Sequence, residues 1–507
     1  MMPMWLSWNN KGGSHMNKKA LGLAVLLVLS FSLQGVAAAP PGYEGGIKNE
    51  STYKEVIFLT GEPIVLEGTL DISIRERNNQ VTERYTYKLE NAEKNAKMSR
   101  TVSINKDLQK NGDQLTEKAS IISFKETIDV NGSRYEATDK SYQWSKSDIY
   151  QNKPGVTYFA GNWDGRKTYT INKNQGKVTV ETRSSVVGYD HYWGTTETQS
   201  IEYYIDSERT ISVEGEAETV RWQGTAVVDA SHNRTRDFNY EANQPTQISF
   251  RGGYLLTEQQ ENVLKVTYDL PRLDEEGKLR SRRNAGSTSF SIDTNPVNQR
   301  LNVPNMRDVA GHWAEKDILL LTSMDAFTAN SSYFGPSLPM NRGEFARAIA
   351  VVMGLKVEEP KTTRNSKVTE TPSIFTDVTK EDPNRKYITA VYEKGIMQGS
   401  GKDRFAPNQA LTRAQAVTVL VTTLGFENLA PIQQYSTGFR DDRQIPIWAK
   451  DAVYMAKELG LVQGSDEGYF QPNKVLTKAE AAAMMTNFIR YLQQDLRYDY
   501  RERILNF

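Results

Sequence analysis

Three passages in the last two-fifths of the chain repeat one order of residues. A repeated order constrains the fold more than any single motif. Each copy must be one supersecondary unit that buries its apolar face against its neighbours. Met306-Arg307-Asp308-Val309 opens the first unit, Phe375-Thr376-Asp377-Val378 the second and Phe439-Arg440-Asp441-Asp442 the third. An aromatic residue follows in each: Trp313, Tyr387 and Trp448. Gly395-Ile396-Met397-Gln398-Gly399 and Gly460-Leu461-Val462-Gln463-Gly464 come next in the second and third units. Then come Phe334-Gly335-Pro336, Phe405-Ala406-Pro407 and Phe470-Gln471-Pro472. Asn341-Arg342-Gly343-Glu344, Thr412-Arg413-Ala414-Gln415 and Thr477-Lys478-Ala479-Glu480 close the pattern. The basic residue lies 34, 36 and 37 positions after the aspartate, and successive aspartates are 69 and 64 apart. The polar run 361–370 accounts for the longer first period.

The third unit shows the physical logic. Ala449, Ala452, Val453, Ala456 and Leu459 share one helix face. Gly460 suits the left-handed residue that ends a helix, and Pro472 bars another from continuing. Thr477 and Glu480 form a capping box, Thr412 and Gln415 a second, and Asn341 with Glu344 a third whose cap is asparagine. Each unit therefore reads as two short helices. Arg342, Arg413 and Lys478 fall at the first position of the second helix. An exposed cation there, beside free N–H groups and the positive end of the helix dipole, suits an anion.

Residues 50–294 read as a β-rich domain. Period-two alternation runs through 72–75, 168–172, 177–182, 200–205 and 264–268. Asn111-Gly112, Asn131-Gly132, Asp164-Gly165 and Gly252-Gly253 read as turns between strands. With no helical pattern between the strands, the sheet is expected to be antiparallel. A sandwich, a barrel and an elongated meander all fit. The proline-marked stretch 295–305 reads as a linker.

At the other end, Met16-Asn17-Lys18-Lys19, an apolar core over 21–33 and Val36-Ala37-Ala38-Ala39 compose a signal peptide over 16–38, with cleavage expected after Ala38. Lys11-Gly12-Gly13 can be encoded by a ribosome-binding sequence placed before a start at Met16. Residues 1–15 are therefore expected to be a mis-assigned leader. The mature chain is expected outside the cell, with no membrane segment after cleavage.

Composition narrows the chemistry. Lys plus Arg and Asp plus Glu both number 62, which gives no electrostatic case for nucleic acid. Without cysteine there is no disulfide, thiolate metal site or thiol nucleophile. The four histidines are His15, His191, His232 and His312. Asp190-His191 and Ser231-His232-Asn233 lack a nucleophile-elbow pattern, and Glu214, Glu216 and Glu218 read as a solvated strand face. No catalytic residue, metal or cofactor is expected. The rival reading is a hydrolase with its site in the β region. A cleft with converging carboxylates or histidines of shifted pKa would separate the two.

The ordered motifs resemble three tandem S-layer homology domains, at 306–356, 375–427 and 439–492 with a linker at 357–374 and a charged tail at 493–507. The resemblance implies a multidomain chain: an all-β antiparallel domain, then an all-α pseudo-trimer around a three-helix-bundle core. It implies non-covalent anchoring to a secondary cell-wall polymer of a Gram-positive-type bacterium, through a pyruvylated sugar held in grooves between units. By position it places Asp308, Asp377 and Asp441 in the grooves and Arg342, Arg413 and Lys478 on the sugar's carboxylate. Trp313, Trp448, Gly399 and Gly464 lie beside them. The aspartates also suit helix capping, and the tryptophans also suit core packing. The first unit has Met306 in place of phenylalanine and no Gly-Ile-x-x-Gly element, and the second has Tyr387 in place of tryptophan. The grooves are therefore expected to differ, with the second and third boxes nearest the family pattern.

Overall fold

The computed structural model describes residues 45–77, 80–213, 216–241, 252–274, 277–328, 332–357, 373–432 and 435–499. The leader and signal-peptide readings lie outside these residues, as do Glu214 and most of the 357–374 linker.

The N-terminal region is one antiparallel sheet of fifteen strands, laid down almost entirely in chain order. Of the three candidate architectures, the meander is the one found. Its strands are long: Glu216–Glu241 runs for 26 residues and Gly194–Val213 for 20. All five alternating segments lie in strands. Asn131 and Gly132 both take positive φ, as a tight hairpin between strands of right-handed twist requires.

Two expectations fail. Asp164-Gly165 is no turn but the middle of the strand Val156–Ile171. A Cβ at Gly165 would sit 2.7 Å from Thr182 Oγ1 and 3.4 Å from both Trp144 and Trp163, so the glycine makes room for two indole rings. The 295–305 stretch is not a free linker either. Val297–Asn302 pairs with Gly253–Leu270 as the last strand of the sheet.

The inward face carries charge as well as apolar side chains. Arg100 donates to Glu126 at 2.6 Å and to both oxygens of Glu55 at 2.7 and 2.9 Å. Lys167 and Tyr169 donate to the second oxygen of Glu126 at 3.0 and 2.7 Å. Nearer the helices, Lys106 bridges Glu83 and Glu117, and Lys146 pairs with Asp148. Glu197 lies close to this second cluster. It is 1 % exposed, and neither carboxylate oxygen has a hydrogen-bond partner. Burial pushes its pKa up to about 8, with Asp148 adding to the rise against the pull of Lys146 and Lys106.

Because the folded pKa exceeds the unfolded value, Glu197 costs stability as pH rises from about 4.5 to about 8. Glu197→Gln should match the parent near pH 4 and exceed it by a few kcal/mol at pH 8, on the order of 1.4 kcal/mol for each pH unit that separates the folded from the unfolded pKa. Urea unfolding at both pH values measures this. An equal difference at the two pH values would mean that ionisation of Glu197 plays no part.

The repeats supply six helices: α1 (Glu315–Ser323), α2 (Arg342–Val352), α3 (Arg385–Glu393), α4 (Arg413–Leu424), α5 (Ile447–Glu458) and α6 (Lys478–Arg490). The five apolar residues read on the α5 face are buried, and Gly460 takes φ +69° just beyond it. Helices pack across units rather than within them: α2 on α3, α4 on α5, and α6 back on α1. None of them is long and apolar enough to cross a membrane.

The described sheet and helices belong to one compact unit. Val156, Tyr158, Tyr189, Trp193 and Leu256 of the sheet share a single core with the helices. Tyr158 stacks on Phe426 with centroids 5.9 Å apart, and Gly155 N donates to Thr423 O at 2.8 Å. Tyr254 reaches Lys316 O, and Gln493 reaches Arg236 O. The supposed tail is thus part of the fold as far as Asp499. Tyr491–Asp495 continues α6 as a π-turn, and Tyr491, Leu492 and Leu496 are buried.

Candidate functional site

Each repeat aspartate performs one task three times. Asp308 accepts from Phe334 N and Gly335 N, Asp377 from Phe405 N and Ala406 N, and Asp441 from Phe470 N and Gln471 N, all within 3.1 Å. The second residue of each pair has positive φ, at +76°, +56° and +60°. For alanine and glutamine that conformation costs about 1–2 kcal/mol, which the two charge-assisted bonds offset. The aspartates therefore do not cap the helix that follows them. The residues at the starts of α1, α3 and α5 make no side-chain cap bond. Although burial opposes it, the two backbone donors hold Asp308 and Asp377 below the usual carboxylate range.

Gly399 and Gly464 serve the same loops. A Cβ on either would stand about 3.1 Å from the ring of Phe375 or Phe439 and crowd a backbone carbonyl of the loop.

The starts of the second helices differ from expectation in a way the sequence hid. Their N–H groups are not free. Arg342 N and Gly343 N donate to Gln409 O and Pro407 O, Arg413 N and Ala414 N to Lys474 O and Pro472 O, and Lys478 N and Ala479 N to Leu338 O and Pro336 O. The third N–H goes to the cap side chain of Asn341, Thr412 or Thr477. Just upstream, Met340 N donates to Leu476 O, Leu476 N to Leu411 O and Leu411 N to Met340 O, which closes a ring of three bonds. The units thus hold each other head to tail in a cycle.

The basic side chains follow that cycle. Arg342, only 8 % exposed, lies over the Phe405 ring and donates Nε to Phe405 O and Nη2 to Gln398 O of the second unit. Arg413 lies over Phe470 and donates Nη2 to Gln463 O of the third unit. Lys478 returns to the first unit and meets Glu344 at 2.7 Å. Contrary to the sequence expectation, these cations are neither fully solvated nor at free helix starts; backbone carbonyls of the next unit orient the two arginines. Burial lowers both arginine pKa values, against nearby Asp377 for Arg342 and against Glu480 and Asp441 for Arg413.

Trp313 and Trp448 are 67 % and 58 % exposed, so core packing does not account for them. Tyr387 is half-buried beside Arg347 and Lys386. The ring of junctions therefore brings together Arg342 with Gln398, Arg413 with Gln463 and Lys478 with Glu344. Sequence reasoning does not single out Gln398, Gln463 or Glu344 as site residues. Their one sequence signal is position: the two glutamines precede the second glycine of the Gly-x-x-Gln-Gly element, and Glu344 is the last residue of its box.

The most strongly shifted carboxyl and imidazole groups of the β region lie inside the sheet. Glu126 and Glu197 are buried, and so is His191, which burial followed by Arg234 and Arg236 holds down to about 3. His232 bonds Asn262, and Ser231 Oγ lies against Thr198 rather than on that ring. Glu218 is exposed opposite Lys278. A cavity within the sheet is lined by Glu55, Arg100 and Lys167, whose charges pair with one another and with Glu126. No group of three or more histidines and carboxylates suited to a metal ion occurs among the described residues.

Comparison with known proteins agrees with the repeats. An exoglucanase, XynX, of Acetivibrio thermocellus is 30 % identical over 35 % of this chain and 16 % of its own length. A cell surface protein of Thermoanaerobacter kivui is 34 % identical over 25 % of this chain and 16 % of its own. The S-layer protein EA1 of Bacillus anthracis is 30 % identical over 34 % of this chain and 18 % of its own. The chain thus matches less than a fifth of each of these relatives. The family model of the S-layer homology domain matches in three places, and residues 305–346, 374–417 and 438–482 are accordingly three tandem S-layer homology domains.

Proposed function

We propose that the chain is a secreted cell-surface protein, held without covalent linkage on a secondary cell-wall polymer through its three repeats, with the β region displayed as a non-catalytic module. The observation that carries this reading is the cycle of junctions. Two of its cations are held across the gap between units by the next unit's carbonyls. Arg342 Nη1 and Arg413 Nη1 make no hydrogen bond and are available to an oxyanion, whereas Arg413 Nε is buried. A carboxylate-bearing sugar, such as one with a pyruvate ketal, matches such donors. Exposed Trp313 and Trp448 supply flat apolar faces of the kind that pack on sugar rings. Asp308, Asp377, Asp441, Gly399 and Gly464 act indirectly, by shaping the loops beside the cations. The cyclic packing favours a pseudo-trimer with α2, α4 and α6 innermost. The location this implies is the wall of a Gram-positive-type envelope.

The hydrolases among the relatives share a stretch about as long as the three repeats, which speaks to a common anchor rather than a common reaction.

Sedimentation of the full chain with isolated walls, before and after chemical removal of the secondary polymer, tests the reading. Co-sedimentation that disappears on stripping supports it. Retention on stripped walls would move the ligand to peptidoglycan, and failure to bind any wall would end the anchoring claim.

A further inference from the structure

The three junctions are built alike but charged differently. Round the cycle, the last residue of the next unit's helix-start box is Gln415 for Arg342, Glu480 for Arg413 and Glu344 for Lys478. At the Arg342 junction that position is Gln415, which is neutral and accepts from Thr412 N through its Oε1. Arg413 has Glu480 nearby, but that carboxylate is already engaged. Oε1 takes Lys474 Nζ at 2.5 Å and Oε2 takes Thr477 N at 3.0 Å. Lys478 faces Glu344, and there the outcome reverses. Asn341 accepts from Glu344 N, yet the glutamate does not reach back to Asn341 to complete a capping box. Its side chain instead crosses the junction to Lys478 Nζ at 2.7 Å, with both side chains largely buried. The pair forms part of the wall of a small pocket bounded by Ala326, Phe327 and Phe334.

We infer that the junctions are unequal in a defined way, a conclusion that rests on the anchoring function proposed above. The Arg342 and Arg413 junctions each take a carboxylate-bearing sugar, and the Lys478 junction is closed to one by Glu344. A ligand carboxylate at Lys478 would either crowd against the Glu344 carboxylate or displace it and leave it buried without its cation, which is the costly way to break a buried pair. At the Arg413 junction the same position is neutralised in advance by Lys474, and at the Arg342 junction it never carries charge. This reverses part of the sequence expectation, which ranked the third box with the second.

Calorimetric titration of the full chain with the methyl glycoside of a pyruvate-ketal N-acetylhexosamine tests the inference. The parent is expected to show two sites. Glu344→Gln removes the blocking charge while Asn341 still caps the helix, and should show three. Glu344→Gln combined with Lys478→Ala should return the count to two, which would assign the gained site to Lys478. Three sites in the parent, or two in Glu344→Gln with an unchanged circular dichroism spectrum, would overturn the inference. So would absence of glycoside binding by a parent chain that walls still retain. Loss of both glycoside and wall binding would instead strike the anchoring function itself.

Discussion

Arg100→Ala should lower the unfolding free energy by about 3–5 kcal/mol, the usual result of removing one partner from a buried ion pair. The side chain is 2 % exposed, and it supplies hydrogen bonds to two buried carboxylates, Glu55 and Glu126. Without it, Lys167 and the hydroxyls of Tyr53 and Tyr169 are left to compensate two negative charges. Burial alone would raise the Glu126 carboxyl, and Arg100 and Lys167 overturn that and bring it to about 2. The sign follows from the depressed value. The stabilisation is complete above the unfolded pKa of about 4.5 and is lost as pH falls towards 2. His191 adds to the same limb over a higher range. It resists protonation down to about 3 while the unfolded chain takes up a proton near 6.5. Urea unfolding of parent and variant at pH 7 and pH 3 reads both effects. The gap between them should narrow at pH 3, and a cost under about 1 kcal/mol at pH 7 would show that the network does not hold the sheet together.

Arg342→Ala combined with Arg413→Ala should weaken wall binding by at least 100-fold. Each charge-assisted contact contributes about 1.5–3 kcal/mol, and sites on one rigid body act together, so losses multiply. Single variants should lose roughly tenfold each. Both arginines also bond backbone carbonyls of the neighbouring unit, so some loss of thermal stability is expected as well. Circular dichroism at the binding temperature separates a folded chain that no longer binds from one that has unfolded. A folded double variant that binds within threefold of the parent would remove the arginines from the anchoring site.

The sequence exposes what is local. Helix starts are legible because Thr412 with Gln415 and Thr477 with Glu480 close their boxes within three residues, and both are present. Strands are legible wherever alternation marks one inward face. Contacts between units are not legible, because their registers involve residues some 50 or more positions apart in sequence. Nothing in the neighbourhood of Arg342 announces that Gln409 O and Pro407 O will take its helix's first donors. Glu344 reads as a cap because it stands where caps stand; its partner lies 134 residues away. The buried charges have a faint local signal. Glu126 alternates with Phe124 and Ile128, so it has to point inward with them. Which cations meet it depends on the order of strands. Asp164-Gly165 misleads for the opposite reason, because a turn-forming pair is used for space.

The helices have two ends with separate duties. Arg342, Arg413 and Lys478 begin α2, α4 and α6, and the residues just past the other ends touch the sheet: Gly354 against Tyr192, Thr423 and Phe426 against Gly155 and Tyr158, and Gln493 against Arg236. At 1.5 Å per residue these helices are roughly 16–20 Å long struts. Under the proposed anchoring, tension between a wall polymer and whatever grips the sheet would therefore run along three hydrogen-bonded rods into one shared core. Because sheet and helices share that core, under the proposed anchoring the sheet would stand at a set attitude to the wall and flowing medium would load the anchor directly.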